Sequence, residues 1–196
     1  MRNNQDRLGP ADAAAQPAPP NLNFVVPTEF VELPSRGKFY PKEHQLHNQE
    51  TVEIKFMTAK EEDILASTTL IKKGLVIDRL LKNLLVCGTD PATLLIGDRS
   101  ALMVAARISS YGSAYKAHVA CGECEKEQDY NFDLRKTNTQ QNCFDETFLA
   151  RNKISFNGEK SVFEISLPKS KATLGIRLLT GQDEKKYVDL DNEKAI

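Results

Sequence analysis

The stretch TVEIKFMTAKEEDILAS, residues 51–67, changes its period in the middle. Up to Met57, apolar Val52, Ile54 and Phe56 alternate with polar Thr51, Glu53 and Lys55, which is the two-residue period of a half-buried strand. At Thr58 the alternation stops. Thr58-Ala59-Lys60-Glu61 has the form of a capping box, with a hydroxyl placed for the third backbone N–H and a carboxylate placed to reach back to the first. A helix is therefore predicted from Ala59 to Ser67, and a strand running straight into a helix opens an α+β reading.

Working toward the C-terminus, Val76, Ile77, Leu80, Leu81, Leu84 and Leu85 recur at three- and four-residue spacing and predict a second helix, with Gly88 suited to its end. Gly97-Asp98-Arg99-Ser100 precedes a third, whose apolar positions are Leu102, Val104, Ala105, Ala106 and Ile108, broken at Tyr111-Gly112. The middle of the chain, about 59–110, is thus helical. Beyond it, 115–120 and 129–134 read as strands on either side of Cys121-Gly122-Glu123-Cys124, and 153–156 and 161–167 as strands flanking Asn157-Gly158, a hairpin signal. Ile176-Arg177-Leu178-Leu179-Thr180, followed by Asp183 and Glu184, echoes residues 54–62. Any strand-to-helix junction favours this chemistry, so the echo does not establish a repeat.

Toward the N-terminus, residues 1–23 are rich in Ala, Pro, Asn and Gln, a composition that buries too little apolar surface to order itself. An extended or disordered arm is expected, either an inert tail or a segment ordered by a neighbouring subunit. Phe24, Val25 and Phe30 would anchor it. Residues 33–41, LPSRGKFYP, follow as a turn in which Gly37 is free to take positive φ, and Arg36, Phe39 and Tyr40 have the composition of an interface hot spot. The resulting division is an arm, 1–23, a body, 24–175, and a terminal strand and helix start, 176–196, serving as a docking element or as the end of a longer chain.

Lys and Arg number 26 against 27 Asp and Glu in 196 residues. So even a balance supplies no long-range field for phosphate backbones or anionic lipid, and no apolar run is long enough for a membrane span. The start of the chain lacks the apolar stretch of a signal peptide, so a reducing compartment is expected. There is no Gly-rich phosphate loop, Gly-x-Ser-x-Gly elbow or His-Glu-x-x-His pattern, and a non-enzymatic role is expected. His44 and His47 lie in a polar loop and are expected to be solvated. Asp98 reads best as a residue near a helix N-terminus, with Arg99 or Arg107 paired nearby.

The cysteines offer one sharp feature. Cys121 and Cys124 converge in a turn of the kind that holds zinc, and Cys143 with His118 would complete one structural zinc site. The competing reading is two reduced thiols in a hairpin turn, favoured by the lack of a second paired motif. A zinc-knuckle nucleic-acid module is the alternative function, and its requirement is a basic surface around the knuckle.

Leu33-Pro34-Ser35-Arg36-Gly37 with Phe39-Tyr40-Pro41, the Thr58 cap with Glu61-Glu62, then Gly97-Asp98-Arg99, Arg107, Tyr111-Gly112 and the Cys121–Cys124 turn occur in one order. Over residues 30 to 135 this order resembles the baseplate hub and hub-assembly proteins of contractile-tailed, T-even-like bacteriophages. The resemblance implies a non-enzymatic structural or assembly subunit of the tail baseplate. Its partners would be other baseplate or hub proteins, with no small-molecule substrate or membrane, and its place the virion and, during assembly, the host cytoplasm.

Overall fold

The computed structural model describes residues 26–136 and 146–194, and these form a mixed α and β structure. In chain order the elements are β1 (Thr28–Glu32), β2 (Thr51–Lys55), α1 (Ala59–Ala66), α2 (Thr68–Lys72), α3 (Val76–Leu84) and α4 (Ile96–Tyr111). They continue with β3 (Ala114–Ala120), β4 (Glu127–Asp133), α5 (Glu146–Arg151), β5 (Ile154–Asn157), β6 (Val162–Ser166), β7 (Thr173–Ile176) and α6 (Gly181–Lys194). The strands make three small antiparallel sheets: β1-β2, β3-β4 and β5-β6-β7.

The junction at Thr58 forms as its residues dictate. Val52 and Ile54 point into the core while Thr51 and Lys55 stay exposed, and the Glu61 carboxylate accepts from the Thr58 N–H at 3.0 Å and from its hydroxyl at 2.5 Å. Burial pushes the Glu61 carboxyl upward, but the bonds from Thr58, with one from Asn83, outweigh it and hold the group below its usual range. The stripe on α3 buries Leu80, Leu81 and Leu84, and the chain leaves the helix extended at Leu85, where Ile54 bridges to Leu85 and the Val86 N–H donates to Glu53. One edge of the small β1-β2 sheet is thereby closed by the chain leaving α3.

Leu102 and Ala106 turn α4 into the same core as Leu33, Tyr40, Leu46, Val52, Ile54 and Leu94. Each fully buried leucine contributes roughly 1.5–3 kcal/mol. Helix α4 stops where Gly112 takes φ +80°, and Arg107 secures that end by donating to the Gly112 carbonyl at 3.0 Å and lying over the Tyr111 ring. The β5-β6-β7 sheet joins the body through Phe156 and Phe163, whose rings lie 5.4 and 5.5 Å from that of Phe39.

Several expectations are corrected. Helix α2 was not anticipated, because five residues carry no readable stripe. The hairpin expected at Asn157-Gly158 forms, β5 pairing with β6 across the four residues between Asn157 and Val162, but neither Asn157 nor Gly158 takes positive φ. The Asn157 side chain instead accepts from the N–H groups of Glu159 and Lys160, and Ser161 takes the left-handed conformation. The echo at 176–180 is not a strand repeating β2: β7 ends at Ile176, and the following residues lie along the start of α4.

Candidate functional site

The Leu-Pro-Ser-Arg-Gly segment folds into two overlapping turns. The Arg36 N–H donates to the Leu33 carbonyl and the Lys38 N–H to the Ser35 carbonyl. Within the second turn both central residues are left-handed, Arg36 at φ +49° and Gly37 at φ +69°. Gly37 has no substitute: a Cβ there would run into the Gln49 N–H and Leu46 carbonyl, and would stand 2.7 Å from the Gln49 oxygen. Arg36 is a different case. A side chain in this region costs about 1–3 kcal/mol and persists where the surroundings overdetermine it.

Asp98 supplies that determination. Only 1% exposed in the first turn of α4, its carboxylate accepts from the Ser35 N–H at 3.0 Å, the Ser35 hydroxyl at 2.6 Å and the Tyr40 hydroxyl at 2.8 Å. Tyr40 in turn accepts from the Leu95 N–H at 3.1 Å, and Ser35 accepts from the Gly37 N–H at 3.0 Å. Burial, then the Asp98 charge, pushes the Tyr40 hydroxyl well above its ordinary range, so it remains a donor at any ordinary pH.

The histidines are not solvated as expected. His44 stacks on the Tyr40 ring with centroids 4.4 Å apart and bonds Thr93, while His47 Nδ1 meets the Tyr40 carbonyl at 2.7 Å. Burial lowers the His44 pKa, which keeps this stacked ring neutral near pH 7. Both rings brace the loop from its far side.

Arg99 takes no part in the Asp98 knot. It bridges α3 and α6, donating to Asp78 and to Glu184 at 2.9 Å each, and Lys185 lies against the other Asp78 oxygen. The C-terminal stretch is fastened to the same place: the Ile96 N–H donates to the Leu179 carbonyl and the Gly181 N–H to the Leu94 carbonyl. Between the motif loop, the start of α4 and this stretch lies an apolar groove of about 420 Å³, lined by Pro34, Phe39, Leu95, Ile96, Leu178 and Leu179, among others. Nothing in the local pattern of 94–96 or 177–180 announced the pairing.

Of the residues expected to make contacts, Phe24 and Val25 lie outside the described residues. Phe30 is 72% exposed on the outer face of β1, and Arg36 is exposed at the loop tip. Phe39 and Tyr40 instead turn inward, at 8% and 2% exposure, and fill the chain's own core beneath the loop. The expectation that these two rings stand on a surface loop is corrected: Asp98 captures one and the Phe156–Phe163 pair the other.

Around Cys121 and Cys124 the chain forms the link between β3 and β4, closed by backbone bonds from Cys121 to Lys126 and from Glu125 to Cys121. The two cysteines are near one another, and the backbone N–H groups of Glu123 and Cys124, followed by the Cys124 thiol, lower the Cys121 pKa. No zinc knuckle is shown. His118 has both ring nitrogens engaged, Nδ1 with Asp129 at 2.6 Å and Nε2 with Glu127 at 3.1 Å, and these carboxylates raise its pKa. Among the described residues no three His, Cys, Asp or Glu side chains form a group that could hold a metal ion; Cys143 lies outside them.

Comparison with known proteins supports the baseplate part of the resemblance and not specifically the hub. No curated protein and no solved structure matches the chain. A family model, T4 bacteriophage base plate protein, matches residues 26–158, about two thirds of the chain and the whole of the motif loop, the helical middle and the β3-β4 hairpin. The chain belongs to the T4 bacteriophage base plate protein family.

Proposed function

We propose that this base plate protein is a non-enzymatic structural or assembly subunit of the hub region, acting through protein–protein contacts in the host cytoplasm and in the virion. The observation that carries the reading is Arg36, exposed and left-handed, in a loop that Asp98, Tyr40 and Gly37 hold rigid and whose Pro34, Ser35 and Phe39 line an apolar groove. A strained cation on an overdetermined loop is arranged for recognition rather than for stability. An arginine there can pair bidentately with a partner carboxylate while the groove takes an apolar side chain. Phe30, and Phe24 and Val25 next to the arm, are the apolar contacts on the same reading.

The nucleic-acid alternative needs positive charge near the cysteines. Residues 114–133 contain Glu123, Glu125, Glu127, Asp129 and Asp133 against Lys116 and Lys126, a balance that repels phosphate. Interrupting the reading frame in a phage that carries it tests the proposal. Sedimentation of tail intermediates is expected to show baseplates stalled before the hub is complete, restored by the chain supplied in trans. Normal baseplates from the interrupted phage would remove the proposed role.

A further inference from the structure

The β3-β4 hairpin is divided by its register into two unlike faces. Antiparallel partners share a face, so Tyr115–Phe132, Ala117–Tyr130 and Val119–Gln128 lie on one side, while Lys116–Asn131, His118–Asp129 and Ala120–Glu127 lie on the other. The first side is apolar and uncovered: Tyr115, Val119, Tyr130 and Phe132 are 43–48% exposed, with the last two rings stacked 6.0 Å apart. Among the described residues neither strand packs extensively on any element but the other. A two-stranded ribbon with an open aromatic face is marginal in water, and apolar residues so patterned mark a surface that something covers.

We infer that this ribbon is a docking element whose aromatic face seats in an apolar channel of a neighbouring baseplate subunit, one whose walls carry lysine or arginine. Charge and area select that occupant. The ribbon's five carboxylates against two lysines call for a cationic neighbour and disfavour a second copy, whose matching ribbon would bring like charge to like. Seven residue pairs give a face about 23 Å long, and two such faces pressed together would bury far less than the roughly 1,200 Å² that a specific dimer requires. Seated in a channel, the ribbon also presents its edges and acidic tip to the walls. The polar face is already organised for this, with His118 holding Glu127 and Asp129 in place.

The inference rests on the baseplate reading, and one experiment separates the two. The full chain is added to baseplate precursors purified from cells infected by a phage lacking it, and co-sedimentation is measured at 0.05 and 0.5 M NaCl. Tyr130→Ser with Phe132→Ser is expected to weaken binding at least about 30-fold without changing the melting curve, since both rings are exposed in the free chain. Glu123→Lys with Glu127→Lys is expected to cost about 10-fold at low salt and little at high salt. Parental binding by both variants would overturn the ribbon's role and leave the baseplate reading standing. Failure of the unmodified chain to bind would overturn both. A benzophenone side chain at position 130 that cross-links to a second copy, or to residues 137–145 of its own chain, would also overturn the inference.

Discussion

Arg36 and Gly37 share the left-handed region side by side, and only Gly37 occupies it without steric cost. The two positions therefore respond oppositely to substitution. Gly37→Ala forces a Cβ into backbone atoms of Leu46 and Gln49 and is expected to destabilise the chain by about 2–4 kcal/mol in urea denaturation. Tyr40→Phe removes a donor to Asp98 and the acceptor of the Leu95 N–H, both buried, and is expected to cost about 1–3 kcal/mol by the same measurement. The need for glycine at 37 was legible, because a Pro-Ser-x-Gly turn asks for positive φ. The inward turn of Phe39 and Tyr40 was not, since the partner that captures Tyr40 is 58 residues away and no local pattern encodes it.

Helices α1 and α6 begin with the same device, and it responds to acid. Asp183 accepts from the Thr180 N–H and hydroxyl and pairs with both Arg177 nitrogens at 2.6 Å, and these contacts, Arg177 first, hold its carboxyl far below the usual range. Glu61 is lowered by its own bonds at Thr58. Groups depressed in the folded state contribute stability that is fully present above about pH 4, the ordinary carboxyl range, and is lost as pH falls through their folded values. Amide exchange in the first turns of α1 and α6 is accordingly expected to rise between pH 4 and pH 2 before that of α4 does, and Asp183→Asn should flatten the response in α6 alone. Such caps are readable because their signature spans four residues. The Leu179–Ile96 and Gly181–Leu94 bonds that seat α6 on α4 bring together positions some 80 residues apart in sequence, and only the folded chain shows them.

At the scale of the molecule, the buried rings of Phe39 and Tyr40 join the central core to the β5-β6-β7 sheet and to α4, so the motif loop is fixed from two directions. Family membership follows from the match over residues 26–158, and the role proposed for the loop rests on its geometry. The mixed α and β class and most element positions were open to reading because period and caps are local, whereas the knuckle expected at Cys121 and Cys124 is not shown. The groove was not, since it exists only where three distant segments meet. The account stands or falls on whether this rigid loop serves display, and Arg36→Gly tests it most directly. Glycine relieves the left-handed strain and removes only the exposed cation, so the melting temperature should hold or rise slightly. The number of completed baseplates per infected cell, counted by electron microscopy, is predicted to fall at least about tenfold, a loss of 1.4 kcal/mol or more of binding. Baseplates formed at the parental level by a variant of unchanged stability would contradict the account.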